Sequence, residues 1–160
     1  MTEDGHREEV DVGMEAACRD IEALGVRDYP EVFTGCLLHG DELHVYRTAT
    51  GSTGLEDTIA QCFPHLRVRY VASQRSWSQL DAVLQEVLSE ATQWQDAGIR
   101  IATVGHDITS GVITVSTPDV DRARRLLTER YGNAIRVESL MARPLPARPR
   151  HLREPPPAGS

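Results

Sequence analysis

The chain has 160 residues, 40% of them hydrophobic and 26% charged, with a net charge of −7 and a mean hydropathy of −0.35. Such values exclude a membrane protein, a collagen-like chain and a wholly disordered one, and a chain this long buries a core without disulfide or metal staples. All 17 bases are Arg, and the 24 acids outnumber them. No surplus of cations is left to neutralise phosphates, so nucleic acid is not an expected partner.

The start, Met1-Thr2-Glu3-Asp4-Gly5, lacks the cationic residues and apolar run of a secretory signal. No apolar run approaches the roughly 20 residues of a membrane span. The expected location is the cytoplasm, with no membrane partner. Cys18, Cys36 and Cys62 are then reduced thiols.

A flexible N-terminus over 1–7 precedes the first predicted helix, Glu8 to Leu24. There Val10, Met14, Ala17, Ile21 and Leu24 recur at three- and four-residue steps, and Gly25 ends the run. Strands follow at Val32–Leu38 and Leu43–Thr48, joined by a hairpin loop His39-Gly40-Asp41-Glu42. Thr53 and Glu56 form a capping box for a short helix carrying Leu55, Ile59 and Phe63. Leu66–Val71 is the third strand. Ser76 and Gln79 are a second capping box, opening a helix whose stripe is Trp77, Leu80, Leu84, Val87, Ala91 and Trp94. Strands Ile99–Val104 and Val112–Val115 flank the turn cluster Asp107-Ile108-Thr109-Ser110-Gly111. A helix begins at Thr117-Pro118, carries Val120, Ala123, Leu127 and Tyr131, and stops at Gly132. Ala134–Glu138 is the last strand. From Arg143 onward six of the nine prolines and four arginines crowd the chain, with one acid. Segment 141–160 therefore reads as a disordered or polyproline-like tail.

The element order is helix, strand, strand, helix, strand, and then the same again. Val10, Met14, Ala17, Ile21 and Leu24 correspond to Leu80, Leu84, Val87, Ala91 and Trp94, each about 70 residues on. Leu43 corresponds to Val112, and Leu66-Arg67-Val68 to Ile135-Arg136-Val137. The fold class is α+β: two tandem αββαβ repeats, at 8–72 and 76–140, each a small three-stranded sheet with helices on one face. One continuous sheet shared by both halves is the rival arrangement.

In the second repeat, Gly98-Ile99-Arg100-Ile101 leads to Val104-Gly105-His106-Asp107 and Ser110-Gly111-Val112-Ile113-Thr114-Val115. A helix with Ala123-Arg124-Arg125-Leu126-Leu127 and an Arg130-Tyr131-Gly132 end then precedes Ile135-Arg136-Val137. The pattern resembles the C-terminal half of the prodomains of bacterial α-lytic-protease-like and streptogrisin-like serine proteases. The resemblance covers about Asp96 to Glu138 and, more faintly, the first repeat. It implies a non-enzymatic module that engages a partner by strand addition. The chain departs from the family in having no export signal and no G-D-S-G-G around a nucleophilic serine.

Cys36-x-x-His39 and Cys62-x-x-His65 are the sharpest ligand-like pairs, since four such ligands suit tetrahedral zinc. Cys36 lies in an apolar strand, however, and Cys62 on the expected buried side of a helix. Both are better read as small buried hydrophobes, and no cofactor is expected. His106, Asp107 and Ser110 share one turn, where adjacent side chains do not build a relay; Asp107 and Ser110 are expected to bond the turn backbone. No nucleotide-binding or zincin motif is present.

Strand alternation sends Leu43, Val45, Leu66, Val68 and Tyr70 toward the helices. His44, Tyr46, Arg67 and Arg69 go to the opposite face. Tyr and Arg favour recognition surfaces, so these four form the candidate partner-binding site. Val112-Ile113-Thr114-Val115 is apolar on both faces except at Thr114, so its sheet is expected to be covered. The expected function is a non-catalytic protein-binding or regulatory module, by hetero- or self-association, acting through an exposed sheet face or edge strand. The alternative is a small-molecule, metal or lipid site between the repeats.

Overall fold

The computed structural model describes residues 4–48 and 53–140. The tail read at 141–160 lies outside them. Both repeats fold as αββαβ. The first comprises α1 (Asp4–Asp28), β1 (Phe33–His39), β2 (Glu42–Thr48), α2 (Thr53–Cys62) and β3 (Val68–Ser73). The second comprises α3 (Trp77–Ser89), α4 (Ala91–Asp96), β4 (Thr103–Asp107), β5 (Val112–Thr117), α5 (Val120–Tyr131) and β6 (Ile135–Ser139). Each repeat has its own sheet, ordered β1-β2-β3 and β4-β5-β6, so the rival single sheet does not occur. In both, the first pair is antiparallel and the second parallel. No described helix is long and apolar enough to cross a membrane.

Two separate cores follow from the two stripes. Met14, Ala17 and Ile21 of α1 pack with Phe33, Cys36, Leu43 and Val45 of the sheet and Leu55 and Ile59 of α2. Leu80 and Val87 of α3 pack with Ile113, Val115, Ile135 and Val137, and with Ala123 and Leu127 of α5. Removing one large member, for example Ile21→Ala or Leu127→Ala, costs about 2–5 kcal/mol through lost burial and the cavity left behind.

Several boundaries differ from the sequence reading, each for a local reason. Helix α1 starts at Asp4 instead of Glu8 and continues through Gly25. Gly25 is a contact residue: a Cβ there would collide with the buried Phe33 ring, so glycine lets the helix lie against β1. The long helix expected from Ser76 breaks at Glu90, whose backbone (φ −94°, ψ 8°) leaves the helical basin. Its carboxylate accepts hydrogen bonds from the Tyr131 hydroxyl at 2.5 Å and from Arg130 at 2.9 Å. The redirected α4 sets Trp94 edge-on to Tyr131, with ring centroids 5.9 Å apart. Burial, followed by the bond to Glu90, pushes the Tyr131 hydroxyl up to about 12.

The Ser76–Gln79 capping box forms as expected, with both reciprocal bonds present. At α2, Glu56 pairs with Arg47 of β2 at 2.5 Å, and the Thr53 side of its expected capping box lies outside the described side chains. Strand β4 begins four residues later than expected. Ile99 gives its N–H to Trp94 and Arg100 gives its own to Asp119, which uses up donors that a ladder would need. Leu43 pairs with Val68 and Ile113 with Ile135, each on the core face. Leu43 therefore corresponds to Ile113, not Val112, and Val68 rather than Leu66 to Ile135. The β4–β5 turn, Ile108–Gly111, is two residues longer than the Gly40-Asp41 turn, an even number that leaves the two hairpins in phase, with Leu38–Leu43 and His106–Ile113 as the equivalent inward pairs.

Several contacts join the repeats, among them a bond from the Ser78 N–H to the Pro30 carbonyl at 2.9 Å. A bulge between Phe33 and Gly35 takes Thr34 out of the ladder, and its buried hydroxyl donates to the Arg75 carbonyl at 2.6 Å. The Arg75 guanidinium donates onward to the Gly111 carbonyl at 3.0 Å and to Asn133 at 2.5 Å. Finally, Ile108 lies over Gly35, where an added Cβ would stand 2.6 Å from its side chain. Gly35→Ala is expected to destabilise the protein by about 1–3 kcal/mol through overpacking. Adding Ile108→Ala should recover part of that loss in urea titrations. Simple additivity of the two substitutions would show that the contact is not tight.

Candidate functional site

Alternation in the second sheet sends Val104, Val115 and Val137, and then His106, Ile113 and Ile135, toward α3 and α5. The outer face carries two rows: Thr103–Ser116–Glu138 and Gly105–Thr114–Arg136. Thr103, Gly105, Thr114 and Ser116 of these rows, with Glu138 beside them, floor an open groove of about 610 Å³. Its rim includes Asp107, Ile108 and Thr109 of the β4–β5 turn and, from the first repeat, Leu37. Gly105 makes the depth, since a Cβ there would meet no atom within 4 Å. Expected coverage of this sheet is only partial. Val112 is buried beside Gly111, which abuts Ser73 and the backbone of Gln74 and Arg75, whereas Thr114 and Ser116 remain accessible.

The turn is held rigidly. Asp107 accepts from the Ser110 N–H at 3.2 Å, as expected for an Asx-type turn, and from Arg136 at 2.6 Å. Partial burial works to raise the Asp107 carboxyl, but the Ser110 bonds and the Arg136 guanidinium outweigh it and hold it below the usual carboxylate range. With its carboxylate committed in this way, Asp107 does not orient His106. The His106 ring instead stacks on Trp77, centroids 4.4 Å apart, and its Nε2 is buried without a hydrogen-bond partner. Burial pushes its pKa below the ordinary value, against a weaker pull from Asp81.

On the first sheet's outer face the rows are Gly35–Tyr46–Val71 and Leu37–His44–Arg69. The structure splits the four predicted partner-binding residues. His44 and Arg69 are register neighbours and continue the row that begins at Leu37, the rim residue, but neither lines the groove itself. His44 is half-buried, stacked on His39 at 4.3 Å and paired with Glu42 at 3.0 Å. Arg69 is exposed. Arg67 precedes the strand and forms an exposed pair with Asp41 at 2.6 Å. Tyr46 is not available: it is 4% exposed, beside the Gly35 position that Ile108 covers. A single-repeat reading could not foresee a lid supplied from the other repeat.

The zinc-like residues do not assemble. Cys36 faces α1, its Sγ 3.0 Å from that of Cys18, whereas His39 projects from the opposite face to stack on His44. Three residues apart on a strand is the wrong parity for a shared ligand. Cys62 is exposed rather than buried, and His65 is exposed on the following turn. Among the described residues no group of three or more metal-ligating side chains comes together. Sequence reading missed Leu37, Gly105, Thr114, Ser116 and Glu138. Glycine in the middle of a strand was the available signal.

Compared with known proteins, the chain matches no protein-family model and no curated relative.

The His106 environment predicts a pH effect. The folded state resists protonation, while the unfolded chain takes the proton near the ordinary 6.5. The unfolded state therefore binds more protons in the window from 6.5 down to the lower folded value, and stability falls as pH drops through it. Urea midpoints at about pH 8 and pH 5 should show this fall. His106→Phe, which keeps a ring on Trp77, should flatten it. An equally steep fall in the variant would place the effect elsewhere.

Proposed function

We propose that this chain is a non-catalytic protein-binding module that takes an extended partner segment on the outer face of its second sheet, a prodomain-like mode of action. The observation that carries the reading is the hollow at Gly105 beside Leu37. The molecule already uses the same device internally, where Ile108 fills the space over Gly35. A partner would seat an aliphatic side chain over Gly105 in the same way. The hydroxyls of Thr103, Thr114 and Ser116 would bond its polar groups, and edge strand β4 offers main-chain donors and acceptors. His44 and Arg69 extend the contact onto the first sheet. The three free thiols suit a reducing compartment such as the cytoplasm.

A small-molecule site between the repeats is the second reading. It is favoured by a volume within the range of about 300–1,000 Å³ usual for ligand pockets and by the contribution of Leu37 from the other repeat. A thermal-shift screen with metabolites addresses it.

The test of the leading reading is a peptide array probed with the purified protein. Segments with one central aliphatic residue should bind best. Gly105→Phe fills the groove without a backbone clash and should weaken binding at least about tenfold, or about 1.4 kcal/mol. Leu88→Ser, on an exposed face of α3, should change nothing. Unchanged binding by Gly105→Phe would remove this surface from consideration.

A further inference from the structure

Cys18 and Cys36 are brought together from α1 and β1, 18 residues apart in the chain. Their Sγ atoms stand 3.0 Å apart, in contact, and both are free thiols. The two differ in access. Cys36 is 4% exposed, packed in the first core, whereas Cys18 is only partly covered. Cys62 is exposed and outside this pair. A half-accessible thiol in contact with a buried second one is the arrangement a two-cysteine redox site needs: one sulfur meets the oxidant and the other resolves it.

We propose that Cys18 and Cys36 form a reversible intramolecular disulfide when the protein meets a hydroperoxide. The Cys18 thiolate attacks one peroxide oxygen. The O–O bond breaks, hydroxide leaves, and Cys18 becomes a sulfenic acid. Cys36 then attacks the Cys18 sulfur, its proton passing to the departing hydroxide as water. Two thiols and one hydrogen peroxide give one disulfide and two waters. Burial, and then the neighbouring Cys18 and Glu22, push the Cys36 thiol well up from its ordinary value. Cys36, buried behind Cys18, is therefore the resolving partner, and Cys18, the more accessible sulfur, is the one oxidised first. The new bond would pin α1 to β1 and shorten the excursions of the unfolded chain.

The three cysteines fall in three different tryptic peptides, residues 8–19, 28–47 and 48–67, because cleavage follows Arg7, Arg19, Arg27, Arg47 and Arg67. The full chain carrying Cys62→Ser is treated with hydrogen peroxide, and the monomer is digested without reduction. The expected product is peptide 8–19 joined to 28–47, with the intact mass lower by two hydrogens, a raised thermal midpoint and full reversal by dithiothreitol. Cys18→Ser should abolish the cross-link while circular dichroism and the reduced thermal midpoint stay near those of the parent. Accumulation of sulfinic acid at Cys18 without the cross-link would overturn the proposal. So would covalent dimers as the main product.

Discussion

The hydrogen bond from the Thr34 hydroxyl to the Arg75 carbonyl fixes how the two halves of this molecule meet. It forms in a buried setting, where a lost partner costs about 1–3 kcal/mol. It exists only because the β1 bulge turns Thr34 out of the ladder. From the same residue the guanidinium reaches Gly111 and Asn133, so one linker residue holds the first sheet's edge, the β4–β5 turn and the approach to β6. A three-stranded sheet with two helices buries too little surface to be comfortable alone. Fixing the linker sets two such units face to turn, with Ile108 over Gly35 and Trp77 packed against the first core.

The groove is a by-product of that arrangement. The first sheet's outer face is closed where Ile108 descends on it, which buries Tyr46. The second sheet's outer face is left open over Gly105, with Leu37 brought to its rim. Neither repeat owns the groove. Its floor is one sheet, its wall a residue of the other, and its shape depends on a turn held rigid by Asp107, Ser110 and Arg136.

Periodicity made the duplicated αββαβ order, the stripes of α1 and α3 and the Ser76 cap readable, because each depends on neighbours within a few residues. The split of the recognition face was not readable. His44 and Arg69 share a row, as alternation requires, but the fate of Tyr46 depends on a turn more than sixty residues away. Arg75 carried no local signal, since its role lies in its backbone carbonyl and in a reach to the other repeat. Cys62 and the break at Glu90 escaped for a similar reason. One depended on where a helix ends, the other on a carboxylate partnered with Tyr131 and Arg130. Gly25 and Gly105 carried real signals, but glycine punctuates, admits neighbours and leaves room with the same letter.

The contact of Ile108 with Gly35 has a direction, from the later copy to the earlier. Identical copies joined by a directional contact would each offer both a knob and a hole, and would go on adding units into a filament. Here the first hairpin ends in Gly40 and Asp41 and has no knob to offer. The two-residue difference in turn length therefore makes the contact one-way: only the longer, second hairpin carries a knob, the hole at Gly35 is filled from within the chain, and the hollow at Gly105 stays open.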